Sequence, residues 1–301
     1  MAGPAADAEL RAAVAAAWGR RLVGRGERLP GGEESAAHRF GDLVVRIGPP
    51  WRGTAEAEWC HAVALAAAAG GAPAVVRPER TRDGATVVRI GGRPVSLWPY
   101  AAGAPADRAD RGEWSGAARE LAGLHRALVR HRPPPRPEPA LLERGLRGEP
   151  WSGPAALADA ALSRWLAEFA RRRGPGQPLH GDYYRGNVLA RGGRIVAVLD
   201  FDEAHIGPPE LEVATAGREF GDPWATDLSG VRRFADAYAA AGGTAGRMDD
   251  ETTAQLIRHR LRCEAAHVEA GGGGAEDGRA PGAADRAYHR RRIDLFHRLR
   301  P

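Results

Sequence analysis

The sequence predicts an α+β fold in two lobes: a small antiparallel sheet carrying one main helix, followed by a larger and mostly helical part. Short apolar runs separated by glycine turns fill most of the first hundred residues. One helical stretch, from Thr54 to about Ala69, interrupts them. Past residue 110 the apolar spacing becomes that of amphipathic helices, with only a few short strand-like runs between 178 and 199. The expected organisation is an N-terminal lobe over residues 1–98, a connector over 99–105 and a C-terminal lobe over 106–301.

Taken in order, residues 5–18 form an amphipathic helix, because Leu10, Val14 and Trp18 recur every four positions, and Gly19 ends it. Strands are expected over Arg20–Val23, Ala36–Phe40 and Leu43–Ile47, divided by Pro30-Gly31-Gly32 and Gly41-Asp42. After the helix from Thr54, strands return at Pro73–Arg77, Ala85–Ile90 and Arg93–Trp98, with Asp83-Gly84 and Gly91-Gly92 as hairpin turns. Arg111–Arg130 is a strong helix with Trp114, Leu121, Leu124 and Leu128 on one face. Five prolines between His131 and Pro139 make a stiff loop, and helix resumes over Trp151–Arg172 behind a Ser152 cap. Short apolar runs at Pro178–His180, Asn187–Ala190 and Ile195–Leu199 follow. Most of the chain after Glu210 is helical, broken at Gly221-Asp222-Pro223, at 241–246 and at the four glycines from Gly271.

Composition removes several function classes. With 43% apolar and 27% charged residues, a disordered chain is excluded. No apolar run reaches the length of about 18 residues needed to span a bilayer, so no membrane partner is expected. Asp7 and Glu9 stand where a signal peptide carries positive charge. Cys60 and Cys263 are too far apart in sequence for a disulfide framework or a zinc motif, which points to a reducing cytoplasm. All 43 basic residues are arginine. The net charge of +5 is scattered among acids without interleaved aromatics, so no nucleic-acid partner is expected.

The chemistry is concentrated in Leu179-His180-Gly181-Asp182-Tyr183-Tyr184-Arg185-Gly186-Asn187, followed by Val196-Ala197-Val198-Leu199-Asp200-Phe201-Asp202. A loop acid, an amide five residues on, and a second acid closing an apolar strand thirteen residues later suit a metal-and-base site. Phosphoryl transfer needs a carboxylate to orient the attacking hydroxyl and oxygens for a magnesium ion that bridges the nucleotide phosphates. One or two protein oxygens suffice for that ion, because the phosphates complete its shell.

These two motifs resemble those of the aminoglycoside phosphotransferase family, a branch of the protein-kinase-like fold. The resemblance covers roughly residues 20–270. It implies that Asp182 is the catalytic acid/base and that Asn187 and Asp200 bind Mg²⁺, with ATP or GTP as donor and a small-molecule hydroxyl as acceptor. It places Arg46, in Val44-Val45-Arg46-Ile47, at the phosphate-contacting position where relatives usually carry lysine. Glu58 is the preferred acid to pair with Arg46, and Glu56 is its rival. Gly31, Gly32 and Ser35 occupy the loop over the phosphates, and the main chain of Trp98 and Tyr100 is expected to meet the base. His125 and His180 are read as bracing residues, and Glu212 as the acid that ties down the catalytic loop. Residues 201–270 carry 13 acids against 7 arginines, which favours an amine-bearing acceptor such as an aminoglycoside or basic peptide antibiotic. The alternatives are homoserine, an amino alcohol, a sugar or a macrolide as acceptor, or a nucleotide-binding pseudokinase without turnover. The sequence leaves the oligomeric state open.

Overall fold

The computed structural model describes residues 4–30, 35–269 and 283–299. Gly31, Gly32 and the four glycines from Gly271 lie outside the described residues. The N-terminal part is a five-stranded antiparallel sheet in the order β1-β2-β3-β5-β4. Its strands are β1 (Glu27–Arg28), β2 (Ala36–Phe40), β3 (Leu43–Ile47), β4 (Val88–Ile90) and β5 (Arg93–Pro99). Helix α1 (Pro4–Trp18) lays Leu10, Val14 and Trp18 against Phe40, Leu43, Val45, Val95 and Leu97. Two-residue turns close both hairpins, and at Gly91 and Gly92 positive φ values of 56° and 77° require residues without a Cβ.

Helix α2 (Thr54–Ala69) links β3 to β4 and packs Trp59, Cys60 and Val63 into one core with Leu121, Leu124 and Leu128 of α3 (Arg111–Leu128). That shared core joins the two parts of the molecule. Asp110 starts α3 by accepting from the backbone N–H groups of Gly112 and Glu113. The helical part continues with α4 (Leu141–Leu146), α5 (Ala160–Arg173), α6 (Pro209–Phe220), α7 (Ser229–Ala240), α8 (Asp250–Glu269) and α9 (Ala283–Arg298). Between α5 and α6, β7 (Gln177–Leu179) pairs with β10 (His205–Gly207), while β8 (Val188–Arg191) stands between β6 (Ala104–Pro105) and β9 (Arg194–Val198).

Three expected elements differ. Residues 20–23 are not a strand, because Arg11 binds the carbonyls of Leu22 and Gly24 and ties this stretch to α1. Residues 73–77 make only a parallel bridge from Val75 to Val198, which fastens the stretch to β9 and not to the first sheet. The helix expected from Trp151 begins at Ala160, where Asp159 caps the N–H of Leu162; Ser152 caps nothing there.

Candidate active site

Two hairpin-like pairings bring the sequence motifs together. The β7–β10 pair sets Leu179 opposite His205, so the loop after β7 runs beside residues 203–205. A Cβ on Gly181 (φ +87°) would lie 1.8 Å from the Glu203 carbonyl oxygen, which leaves room for glycine alone. The β8–β9 pair does the same for the second motif, and the Leu199 N–H donates to the Asn187 carbonyl at 2.8 Å. Asp182, Asn187 and Asp200 therefore meet at one lip of the cleft. Asn187 Nδ2 donates to Asp182 Oδ2 and to its carbonyl oxygen, both at 3.0 Å. That fixes the amide and leaves Asn187 Oδ1 without a hydrogen-bond donor among the described residues. Asp200 is the one non-glycine with positive φ (63°) among the described residues, a strained backbone of the kind held in place at functional sites.

Buried groups hold this loop. His180 Nδ1 accepts from the Asp182 N–H at 3.2 Å, so its Nε2 carries the proton and donates to the Leu199 carbonyl at 2.7 Å. Burial lowers the His180 pKa, which keeps that neutral tautomer. Glu212, from the first turn of α6, accepts from the N–H groups of His180 (3.0 Å) and Gly181 (2.5 Å) and from His125 Nε2 (2.8 Å). Burial raises the Glu212 pKa, but these donors and the neighbouring histidines outweigh it and hold the carboxyl at about 2. His125 also bonds the Tyr238 hydroxyl at 2.8 Å, so it is a packing residue as expected.

The Asp182 side chain is 31% exposed at the cleft and enclosed by protein beneath. Desolvation pushes its pKa up to about 7, helped by Asp200, Glu203 and Glu264, against the opposing charge of Arg260. Arg260, from α8, donates Nη2 to Asp182 Oδ1 at 2.7 Å and Nη1 to the Gly181 carbonyl at 2.5 Å.

Arg46 reaches Asp200 as a two-pronged fork, with Nη1–Oδ1 and Nη2–Oδ2 both 3.0 Å, and its Nη2 also meets Asp202 at 3.1 Å. The expected pairing with Glu58 is therefore corrected: Glu58 accepts from the Thr86 N–H at 3.0 Å. Two residues on a helix turn through about 200°, so Glu56 and Glu58 face opposite ways. Glu56 does face the cleft, but Arg136 (2.6 Å) and Arg52 (3.8 Å) take it. Arginine's length carries the Arg46 head past α2 to the far side of the cleft.

A second correction concerns the connector. Tyr100 donates its N–H to the Asp42 carbonyl at 2.7 Å, which continues the β3–β5 ladder in which Trp98 lies opposite Val44. In an antiparallel ladder every second residue turns its backbone to the same neighbour, so Trp98 and Tyr100 both face β3 and neither is turned to the cleft. The residues of opposite alternation are Leu97, whose carbonyl accepts from Glu79, then Pro99 and Ala101. Ser35 is buried and shares a narrow crevice with Arg46, Arg52, His61, Ser96 and Asp202. Gly31 and Gly32 fall outside the described residues.

Two of the acids expected on the acceptor side are paired with arginines. Asp202 is paired with Arg46 and with Arg52 at 2.6 Å, and Glu264 with Arg260 (2.6 Å), Arg292 (3.0 Å) and Arg218 (3.5 Å). Glu203, 46% exposed, is the more open acid. Sequence reasoning missed Arg52, Arg136 and Arg260. In a chain with 43 arginines the residue type singles out none of them, and only the four-residue spacing of Arg260 and Glu264 hinted at a pair.

The oxygens present fit a divalent ion bound with phosphates: the Asp200 carboxylate and the free Asn187 Oδ1, once Arg46 turns away. Among the described residues no group of three or more His, Cys, Asp or Glu is placed to hold a metal ion by itself. No helix among them is long and apolar enough to cross a membrane.

Comparisons with known proteins bear on the family and the fold. A profile described as the phosphotransferase enzyme family matches residues 25–255. Homoserine kinase from Pseudomonas aeruginosa is 33% identical over 176 residues, which are 56% of this chain and 54% of the relative. The chain thus spans about half the length of the curated relatives it matches. Among solved structures, the amicoumacin kinase hAmiN in complex with AMP-PNP, Ca²⁺ and Ami has a TM-score of 0.70 at 14% identity, over 97% of this chain and 94% of that one. A choline/ethanolamine kinase family protein from Mesorhizobium loti has 0.63 at 20% identity, over 98% and 94%. Spectinomycin phosphotransferase in complex with ADP and spectinomycin has 0.61 at 12% identity, over 97% and 98%.

Proposed function

The chain belongs to the phosphotransferase enzyme family, and from that premise we propose that it is an ATP- or GTP-dependent kinase that moves the γ-phosphoryl group onto a hydroxyl of a small molecule. The observation that carries the reading is the convergence of Asp182, Asn187 and Asp200, with Asn187 bonded to Asp182 at 3.0 Å. Asp182 holds the acceptor hydroxyl and takes its proton, and a carboxyl with a pKa near 7 is matched to that work at neutral pH. Asn187 and Asp200 would hold Mg²⁺, which would offset the charge of the nucleotide phosphates. Arg46 exchanges Asp200 for the phosphates as the nucleotide enters, and Ser35 closes over them. The backbone of Pro99 and Ala101 meets the base, with the Pro99 carbonyl as acceptor and the Ala101 N–H as donor.

For the acceptor we propose a hydroxyl compound of amino-acid or amino-alcohol size. Support comes from the arginines that neutralise Asp202 and Glu264, which leave little net charge for a polycation, and from the homoserine kinase relative. An amine-bearing antibiotic is the second reading, favoured by the exposed Glu203 and by the antibiotic kinases of like fold. The test is a panel of L-homoserine, ethanolamine, choline, kanamycin, spectinomycin, a tuberactinomycin-type peptide and a macrolide, each with Mg²⁺ and ATP or GTP. A phosphate monoester of one panel compound, seen by ³¹P NMR, is the expected product. Tight nucleotide binding without phosphorylation of any compound would instead favour a non-catalytic nucleotide-binding protein.

A further inference from the structure

We infer that Arg260 is a positioning residue for transfer: it grips one oxygen of Asp182 so that the carboxylate keeps the plane in which it meets the acceptor hydroxyl. The inference rests on the proposed role of Asp182. Asp182 is held from two directions, by Asn187 Nδ2 on Oδ2 at 3.0 Å and by Arg260 Nη2 on Oδ1 at 2.7 Å. The last torsion of an aspartate is broad, so a single anchor leaves the carboxylate free to swing, and the second removes that freedom. Arg260 is itself fixed at three points, since Nη1 reaches the Gly181 carbonyl at 2.5 Å and Nε reaches Glu264 at 2.6 Å. Glu264 in turn meets Arg292 of α9 at 3.0 Å. A line of ion pairs therefore runs from α9 through α8 into the loop that carries Asp182.

Arg260, Glu264 and Arg292 lie beyond residue 255, where the family match ends. Both side chains are mostly buried, with 15% of Arg260 and 31% of Asp182 open to water, so losing the pair is expected to lower Tm in either case. A small displacement of a reacting group costs roughly 10²-fold in rate. Positioning therefore predicts a large loss in kcat at unchanged nucleotide affinity, partly rescued by lysine, and a purely structural pair does not.

The experiment uses the full chain with Mg²⁺ and ATP. It follows transfer to the panel compound phosphorylated fastest, and to water as a background acceptor, in Arg260→Gln, Arg260→Lys, Glu264→Gln and Asp182→Asn. Arg260→Gln is expected to lose roughly 10²-fold in kcat with nucleotide affinity unchanged, assayed well below its own Tm. Arg260→Lys, which can reach Asp182 or Glu264 but not span both, falls between. A kcat for Arg260→Gln equal to that of the unsubstituted protein, while Asp182→Asn is inactive, overturns the positioning role and leaves the function standing. Full activity in Asp182→Asn overturns the proposed function itself. Where Arg260→Gln does not fold, Glu264→Gln decides, because it keeps the guanidinium but frees its Nε: a lowered kcat supports the inference and an unchanged one refutes it.

Discussion

Glu212→Gln tests how the loop carrying Asp182 is held. The Glu212 carboxylate is 3% exposed and takes three donors: His125 Nε2 and the N–H groups of His180 and Gly181. Glutamine offers one acceptor oxygen in place of two, so its NH₂ must face a donor and one buried N–H loses its partner. The magnitude follows from the carboxyl's pKa, held at about 2 in the fold against about 4.5 for a free glutamate side chain. That difference corresponds to about 3 kcal/mol of stability at neutral pH. Because the folded value is the lower one, the stabilisation is complete above about pH 4.5 and is lost as the pH falls from there toward 2. Urea denaturation of both proteins between pH 7 and 3.5 measures it. The advantage of the unsubstituted protein should be about 3 kcal/mol at pH 7 and smaller by roughly 1 kcal/mol at pH 3.5. A difference that stays constant across that range, or a glutamine variant as stable as the parent, would refute the reasoning.

Two further outcomes are expected at the same loop. Asp182→Ala should lower kcat by roughly 10²–10⁴-fold, the range for a positioned base, while nucleotide affinity by calorimetry stays unchanged; a parallel loss of both would remove Asp182 from the role of base. Gly181→Ala should displace the Glu203 backbone, since the new Cβ sits 1.8 Å from its carbonyl oxygen, and should abolish transfer with a lowered Tm; a variant of normal activity and Tm would contradict the packing described.

Much of this architecture is local and could be read from the chain. Ala36–Phe40, Leu43–Ile47 and Thr54–Ala69 lie where their patterns put them, because alternation, a glycine turn and helical spacing act over a few residues. The meeting of Asp182, Asn187 and Asp200 was legible for a related reason: short strands on either side of each loop force the return of the chain. The pairings were not. Arg46 meets Asp200 across 154 positions, Arg136 meets Glu56 across 80, and Arg260 meets Asp182 across 78. Nothing local distinguishes those arginines from the others, and an acid's partner depends on which of several guanidinium groups the fold delivers. The acidic excess after residue 200 does not by itself define the acceptor surface, since charge counted along the chain says little about charge left over once distant arginines have paired. The main chain of Trp98 and Tyr100 was misjudged by one step of strand alternation, which the apolar pattern alone does not define.

Phosphotransfer at this site rests most on Asn187 and Asp200 gripping a divalent ion together with the nucleotide phosphates. Calorimetric ATP affinity with and without Mg²⁺, in the unsubstituted protein and in Asp200→Ala, tests this directly. Magnesium should strengthen ATP binding to the unsubstituted protein, and that gain should vanish in Asp200→Ala. An equal gain in both proteins would contradict the assignment.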